Sequence, residues 1–204
     1  MTSGPEPRFD EVIDAHVYRR GSEVFANIVS DYKAYRRPLL AQGFYACLIH
    51  RFGYATSRSK IGPFRWVAKL FHLILIKVSE VLFGIYIGPN VIMGRAFVIE
   101  HFGGVIIHSS TRIGNNVRIR QGVTIGNRSV THPNDVPNIG NNVDIGAGAK
   151  ILGPIRIGDG AVIGANAVVI RDVPPGATAV GVPARLVTSR MPPPNYDARI
   201  DFKM

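Results

Sequence analysis

The chain is predicted to be mainly β, a parallel β-helix preceded by an α-helical segment, and three observations carry this. From Ile87 to Val169 an aliphatic residue returns at every sixth position, usually followed by glycine. The beat breaks twice. Two residues are added between Ile99 and Ile107, and a longer polar insert, Asn127 to Asn138, separates Ile125 from Ile139. Ahead of the array, apolar residues instead recur at helical spacing. A period of six with a turn in each repeat builds stacked coils, with the aliphatic side chain in a narrow core. A regular scaffold carries chemistry where its regularity fails, so the two breaks are the candidate site.

The elements follow in order. Residues up to about Arg20 mix proline, charge and isolated apolar residues and read as a loose arm or short helix. From Ser22 the spacing of Val24, Phe25, Ile28 and Val29 predicts one helical face, broken at Arg36-Arg37-Pro38. A second helix is predicted over Leu39 to about Tyr54, leaving through a turn at Ser57 to Pro63. A third, Phe64 to about Phe83, carries the stripe Val67, Leu70, Phe71, Ile74, Val78, Val81 and Leu82. Its charges and its short uncharged run, Leu70 to Ile76, rule out a span of roughly 20 residues across a bilayer. Two roles fit the stripe: packing against the other helices or a neighbouring subunit, which is favoured, and an interfacial membrane contact. In each hexad the fifth-place residue, Val91, Val117, Val123, Val143, Ala149, Ile155, Ala161 or Ala167, also points inward, while Gly and Asn serve the turns. The helices and the segment Asp172 to Gly176 are expected to cap the open coil ends. The domain division is 1–84 helical, 85–187 β-helix and 188–204 tail.

Composition narrows the function. The net charge of +10 favours an anionic partner, yet Lys and Arg are dispersed, with no nucleic-acid motif or aromatic platform, so nucleic acid is excluded. A single cysteine, Cys47, permits no disulfide within the chain. The N-terminus lacks a secretory pattern, and the cytoplasm, including the inner face of the membrane, is the expected location.

Four stretches resemble the left-handed β-helix acyltransferases, and within them the serine acetyltransferase-like group: Ile99 to Ile107, Gln121 to Gly126, Ile145 to Gly153, and Asp172-Val173-Pro174-Pro175 through Gly181-Val182-Pro183-Ala184-Arg185. The resemblance implies a left-handed parallel β-helix and acetyl-CoA as donor. It also implies a homotrimer or a dimer of trimers, with each site between neighbouring β-helices. It makes His101 the general base, which suits the chemistry: a hydroxyl becomes an effective nucleophile when an imidazole takes its proton. Backbone N–H groups near Gly103-Gly104 are candidate oxyanion donors. Ala147 and Ala165 match positions whose backbone meets the coenzyme, and Lys150 and Arg185 are candidates for its phosphates by charge.

The departures bear on the acceptor. Glu100 stands where an Asp precedes the base, Tyr86 where an Asp orients it, and Asp135-Val136-Pro137 where an Arg-His-Pro helps hold serine. Gly122 to Arg128 is similar to a short branch of the group associated with exopolysaccharide synthesis. The expected activity is therefore O-acetylation of a saccharide hydroxyl, with Glu100, Asn127, Arg128 and His132 bonding the acceptor. Serine O-acetylation, with Glu100 and His132 substituting, is the alternative, and a non-catalytic trimeric scaffold the second. No metal is expected, since His101, His108 and His132 would have to converge across subunits. His16, His50 and His72 are read as helix residues without chemistry, and His108 as a surface-pointing strand residue.

Overall fold

A computed structural model describes residues 21–57 and 62–187. The expectations for the N-terminal arm with His16, for the centre of the turn before the third helix, and for the proline-rich tail lie outside these residues. Three helices, α1 (Gly21–Ala34), α2 (Gln42–Ser57) and α3 (Gly62–Phe83), precede fifteen short strands, with a 3-10 turn at Pro38–Leu40 between α1 and α2. The second helix begins later than the leucines of Pro38-Leu39-Leu40 suggest. Proline opens the 3-10 turn, and Ala41 then takes an extended conformation, so a continuous helix from Leu39 cannot form.

The strands coil into a three-sided parallel solenoid. Sheet A stacks β1 (Ile85–Ile87), β4 (Val105–Ile107), β7 (Thr124–Gly126), β10 (Lys150–Leu152) and β13 (Val168–Val169). Sheet B stacks β2 (Ile92–Met93), β5 (Arg112–Ile113), β8 (Asn138–Ile139) and β11 (Arg156–Ile157). Sheet C stacks β3 (Val98–Glu100), β6 (Arg118–Arg120), β9 (Asp144–Ile145), β12 (Val162–Ile163) and β14 (Thr178–Gly181), and closes with the antiparallel β15 (Ala184–Val187). Every array aliphatic is buried, and the fifth-place residues join them in one continuous core. The hexad reading of the sequence describes this core residue by residue.

Turns are stitched coil to coil by asparagine. The Asn115 amide donates to Asn141 Oδ1 at 2.9 Å, and the Asn141 amide donates to Asp159 Oδ1 at 2.7 Å. Asn116 and Asn142 hold positive φ in these turns, the conformation asparagine tolerates best after glycine.

The helices close the first coil with polar side chains. Arg51, fully buried, donates Nε and Nη2 to the Asp31 carboxylate at 2.7 and 3.0 Å, and gives Nη1 and Nη2 to the carbonyls of Met93 and Gly94 at 3.0 and 2.6 Å. Asp31 also accepts the Phe97 N–H, and the Tyr35 hydroxyl accepts the Ile99 N–H at 2.8 Å. His50 Nε2 donates to the Val91 carbonyl at 3.0 Å, and Ser79 Oγ donates to the Ile85 carbonyl at 2.9 Å. Close packing requires glycine at Gly43, where a Cβ would sit 2.3 Å from the Ile99 carbonyl oxygen.

On two helices the apolar face is not packed against the chain's own core, which for the third leaves the neighbouring-subunit and interfacial roles. The buried side of α1 carries Asn27 and Asp31, while Phe25 is exposed. In α3 the apolar stripe faces away from the chain's own core: Val67, Leu70, Phe71, Ile74, Val78, Val81 and Leu82 are all exposed. The inward face is the narrow one formed by Ala68, His72, Ile76 and Ser79. Small and polar residues win there because the helix must approach closely; the His72 ring occupies the space a side chain at position 53 would need. Among the described residues no helix is long and apolar enough to cross a membrane.

Two predictions follow from this cap. Replacing Arg51 with leucine strands the buried Asp31 carboxylate and is expected to cost about 3–5 kcal/mol in urea denaturation. Burial, reinforced by the neighbouring Arg51 charge, pushes His50 down from its ordinary 6.5 to about 3. The native state therefore keeps His50 neutral while the unfolded chain protonates it. Its contribution is complete above pH 6.5 and is lost as pH falls from there toward 3, with a slope of at most about 1.4 kcal/mol per pH unit. A His50→Gln protein should show a flatter decline of stability across that window, measured by denaturation at several pH values.

Candidate active site

His101 sits at the corner where β3 of sheet C turns into β4 of sheet A. Its φ of 65° places it in the left-handed region, and Gly103 and Gly104 follow at 100° and 68°. Three such residues in four reverse the chain within the added segment, and they leave the His101 side chain exposed on the edge. The same corner recurs in each coil. Below His101 come Gln121-Gly122, then Ala147-Gly148, then Ala165-Asn166, joined by hydrogen bonds from Gly122 N to Gly103 O, Gly148 N to Gln121 O and Asn166 N to Ala147 O.

This edge is built of small residues stacked backbone on backbone. A Cβ at Gly104 would lie 3.3 Å from the Gly122 Cα, and one at Gly122 would lie 3.2 Å from the Gly148 Cα. A strip of part-exposed small residues therefore runs from His101 past Gly122, Ala147 and Gly148 to Ala165. The general-base candidate and both alanines share one edge of a single chain.

The outer face of sheet C, beside His101, carries a group that sequence reasoning missed. Glu100 pairs with Arg118 through Nη1 and with Arg120 Nε at 3.2 Å, and Arg120 Nη1 reaches Asp144 Oδ1 at 2.5 Å and the Ile145 carbonyl at 3.3 Å. The strand register explains the meeting, since Glu100 lies opposite Arg120 and Arg118 opposite both Val98 and Asp144. A signal was present in the sequence. Residues flanking an array aliphatic point outward, so Glu100, Arg118, Arg120 and Asp144 share one face once the coils are counted.

The remaining candidates are distributed differently. Asn127, Arg128 and His132 lie in the long insert between β7 and β8, at the corner of sheets A and B. Within one chain this corner is a different edge from that of His101. The insert is organised internally: Asn127 Nδ2 donates to the Ser129 carbonyl at 2.8 Å, and the Thr131 hydroxyl meets His132 Nδ1 at 3.0 Å. Arg128 and His132 are exposed. His108 is half-buried on the same side, and its Nδ1 accepts the Ser110 N–H at 3.2 Å. Lys150, on sheet A, gives its ammonium to the Gly122 carbonyl at 2.5 Å and Thr124 Oγ1 at 3.1 Å, so its charge is tied to the protein. Arg185 is exposed on β15, and Tyr86 is half-buried on β1. Among the described residues no three His, Cys, Asp or Glu side chains gather as a metal site.

Residues 137–171 match the family described as bacterial transferase hexapeptide (six repeats). Serine acetyltransferase of Helicobacter pylori (strain J99) is 40% identical over 150 residues, covering 74% of this chain and 84% of the relative. The chain belongs to the serine acetyltransferase family of hexapeptide-repeat acyltransferases. The Mycobacterium tuberculosis serine acetyltransferase is also 40% identical, over 135 residues and 65% of this chain, but the match spans only 59% of that protein's length. Among solved structures, Brucella abortus serine acetyltransferase in complex with coenzyme A superposes with a TM-score of 0.69 at 30% identity, covering 88% of this chain and 71% of that one. The solenoid is thus the left-handed β-helix of that family.

These findings correct the saccharide expectation. It rested on the departures at Glu100, Tyr86 and Asp135-Val136-Pro137 and on the similarity of Gly122 to Arg128, and 40% identity to serine acetyltransferases over 150 residues outweighs them. Charges of both signs are gathered on sheet C, on the strand that leads into His101 and its neighbours.

The left-handed conformation of His101 yields a stability test. A non-glycine residue there carries strain of about 1–3 kcal/mol, partly offset by the entropy that glycine adds to the unfolded chain. His101→Gly should therefore raise stability by about 1 kcal/mol in urea denaturation while removing the imidazole.

Proposed function

We propose that the protein transfers the acetyl group of acetyl-CoA to the hydroxyl of L-serine, with His101 as general base. The observation that carries this reading is the single edge that sets the His101 side chain above a strip of stacked main chain, in a chain 40% identical to serine acetyltransferases. The strip fits a long, thin co-substrate, because Ala147 and Ala165 carry only methyl groups there. Arg185, exposed on the closing hairpin, is a candidate for its phosphates.

In the proposed reaction His101 accepts the hydroxyl proton as the serine oxygen adds to the acetyl carbonyl carbon. Backbone N–H groups of the Gly103-Gly104 segment face the oxyanion that develops there. The carbon–sulfur bond then breaks, and His101 returns its proton to the departing sulfur, leaving acetylated serine and the free thiol. No covalent enzyme intermediate is needed.

Because the insert and His101 occupy different edges of the prism, Asn127, Arg128 and His132 act on the acceptor only across a subunit boundary. We therefore infer a homotrimer with three sites, each pairing the His101 edge of one chain with the insert of its neighbour.

Thiol release from acetyl-CoA tests this directly. L-Serine is expected to stimulate release, and His101→Ala should lower kcat by about 10²–10⁴ with little change in KM. Release no faster with serine than without it would overturn the reading.

A further inference from the structure

We propose that the network of Glu100, Arg118, Arg120 and Asp144 receives the two charged groups of the acceptor, Arg120 taking the carboxylate and Glu100 the ammonium. This rests on the serine reading of the site and names the residues that would select an α-amino acid.

Position comes first. Glu100 immediately precedes His101, and the left-handed turn at His101 sends the imidazole to the edge while Glu100 stays on the flank of sheet C. Arg120 lies opposite Glu100 in the next coil and joins the two carboxylates, reaching Glu100 through Nε and Asp144 through Nη1. The network is half-buried rather than sealed, with side-chain exposures of 26% for Arg118, 29% for Arg120, 32% for Glu100 and 13% for Asp144. A small acceptor therefore has access to both signs of charge on the strand that leads directly into His101 and on the one stacked against it.

Charge conservation comes second. A zwitterion can enter an existing ion pair by exchange: its carboxylate replaces Glu100 on Arg120, and its ammonium replaces Arg120 on Glu100. Each protein charge stays paired and the net charge of the site does not change. Partner exchange avoids the penalty of stranding a half-buried charge. Asp144 stays on Arg120 throughout and holds the guanidinium fork toward the carboxylate, a geometry that arginine matches and lysine does not. A neutral polyol offers no replacement charges, so inserting it would leave Glu100 and Arg120 mismatched. The other basic candidate near this edge, Lys150, is bound to the Gly122 carbonyl and Thr124.

A purely structural ladder on a sheet face predicts a different result, and substrate analogues separate the two. For the wild-type protein kcat/KM should favour L-serine over L-serinamide, which keeps the ammonium and lacks the carboxylate. In Arg120→Met that preference should fall by about tenfold or more, with the KM for acetyl-CoA within about twofold of wild type. Arg120→Lys should lose part of the preference, and it carries the same comparison should the methionine variant not fold. Glu100→Gln should erode the preference for L-serine over 3-hydroxypropanoate, which lacks the ammonium. An unchanged serine-to-serinamide ratio in the arginine variants, whatever happens to kcat, would sink the proposal while leaving serine acetylation intact. Absence of serine turnover in the wild-type protein would remove both.

Discussion

A stack of parallel coils must do something with the open edge of its first coil. The N–H and C=O groups on that side have no preceding coil, and leaving them bare invites pairing with another chain. Here six of them are met by side chains from the helices: the carbonyls of Ile85, Val91, Met93 and Gly94 by Ser79, His50 and Arg51, and the N–H groups of Phe97 and Ile99 by Asp31 and Tyr35. Arg51 is the centre of this closure. It would be a costly buried cation alone, but Asp31 neutralises it and the two carbonyls take its remaining donors. Helices and coil are thereby joined through polar contacts of fixed geometry, which add to the apolar packing of Ala46 and Cys47 on the coil core and of Phe44 on Val98.

That fixed geometry reaches the site in one step. Asp31 and Tyr35 grip Phe97 and Ile99, the residues leading directly into Glu100 and His101. The left-handed turn at His101 is strained, and strain persists only where the surroundings over-determine it. On one side the helical cap holds β3, and on the other Gly122 N anchors Gly103 O. The N-terminal helices thus position the first break in the array as well as close the coil.

How much was legible in the sequence follows from which interaction dominates each region. In the solenoid, burial decides everything, and a period of six recorded it; from Ile87 to Val169 each aliphatic expected inside is inside. In α1 and α3 apolar periodicity misleads, because the faces turned to the coil and to α2 carry polar and small residues, whereas Phe44 and Cys47 of α2 are buried as their spacing suggests. Asp31, Arg51 and His50 look like surface residues by composition, yet they face the coil. The stripe on α3 looks like a core face and is exposed, because close approach selected Ala68 and Ser79 for the packed side. His101 was found through a break in a rhythm. Arg118, Arg120 and Asp144 interrupt no rhythm, and only the register that stacks Glu100 on Arg120 reveals them as one group.

The same contrast explains why the acceptor was misread. The departures at Glu100, Tyr86 and Asp135-Val136-Pro137, with the similarity of Gly122 to Arg128, pointed to a neutral acceptor held partly by the insert. A loop of this length must order itself before it can order a ligand, and this one spends Asn127, Ser129, Thr131 and His132 on internal bonds. Strand residues need no such ordering, because the hydrogen-bonded coils already fix them. A charge pair on β3 and β6 is therefore a more rigid receptor than the same charges in the insert. Charge recognition can move from loop to strand without any change in the base, the edge or the reaction. On the proposed reading, the acceptor is selected on the outward faces of the coils beside His101 as much as in the insert that breaks them.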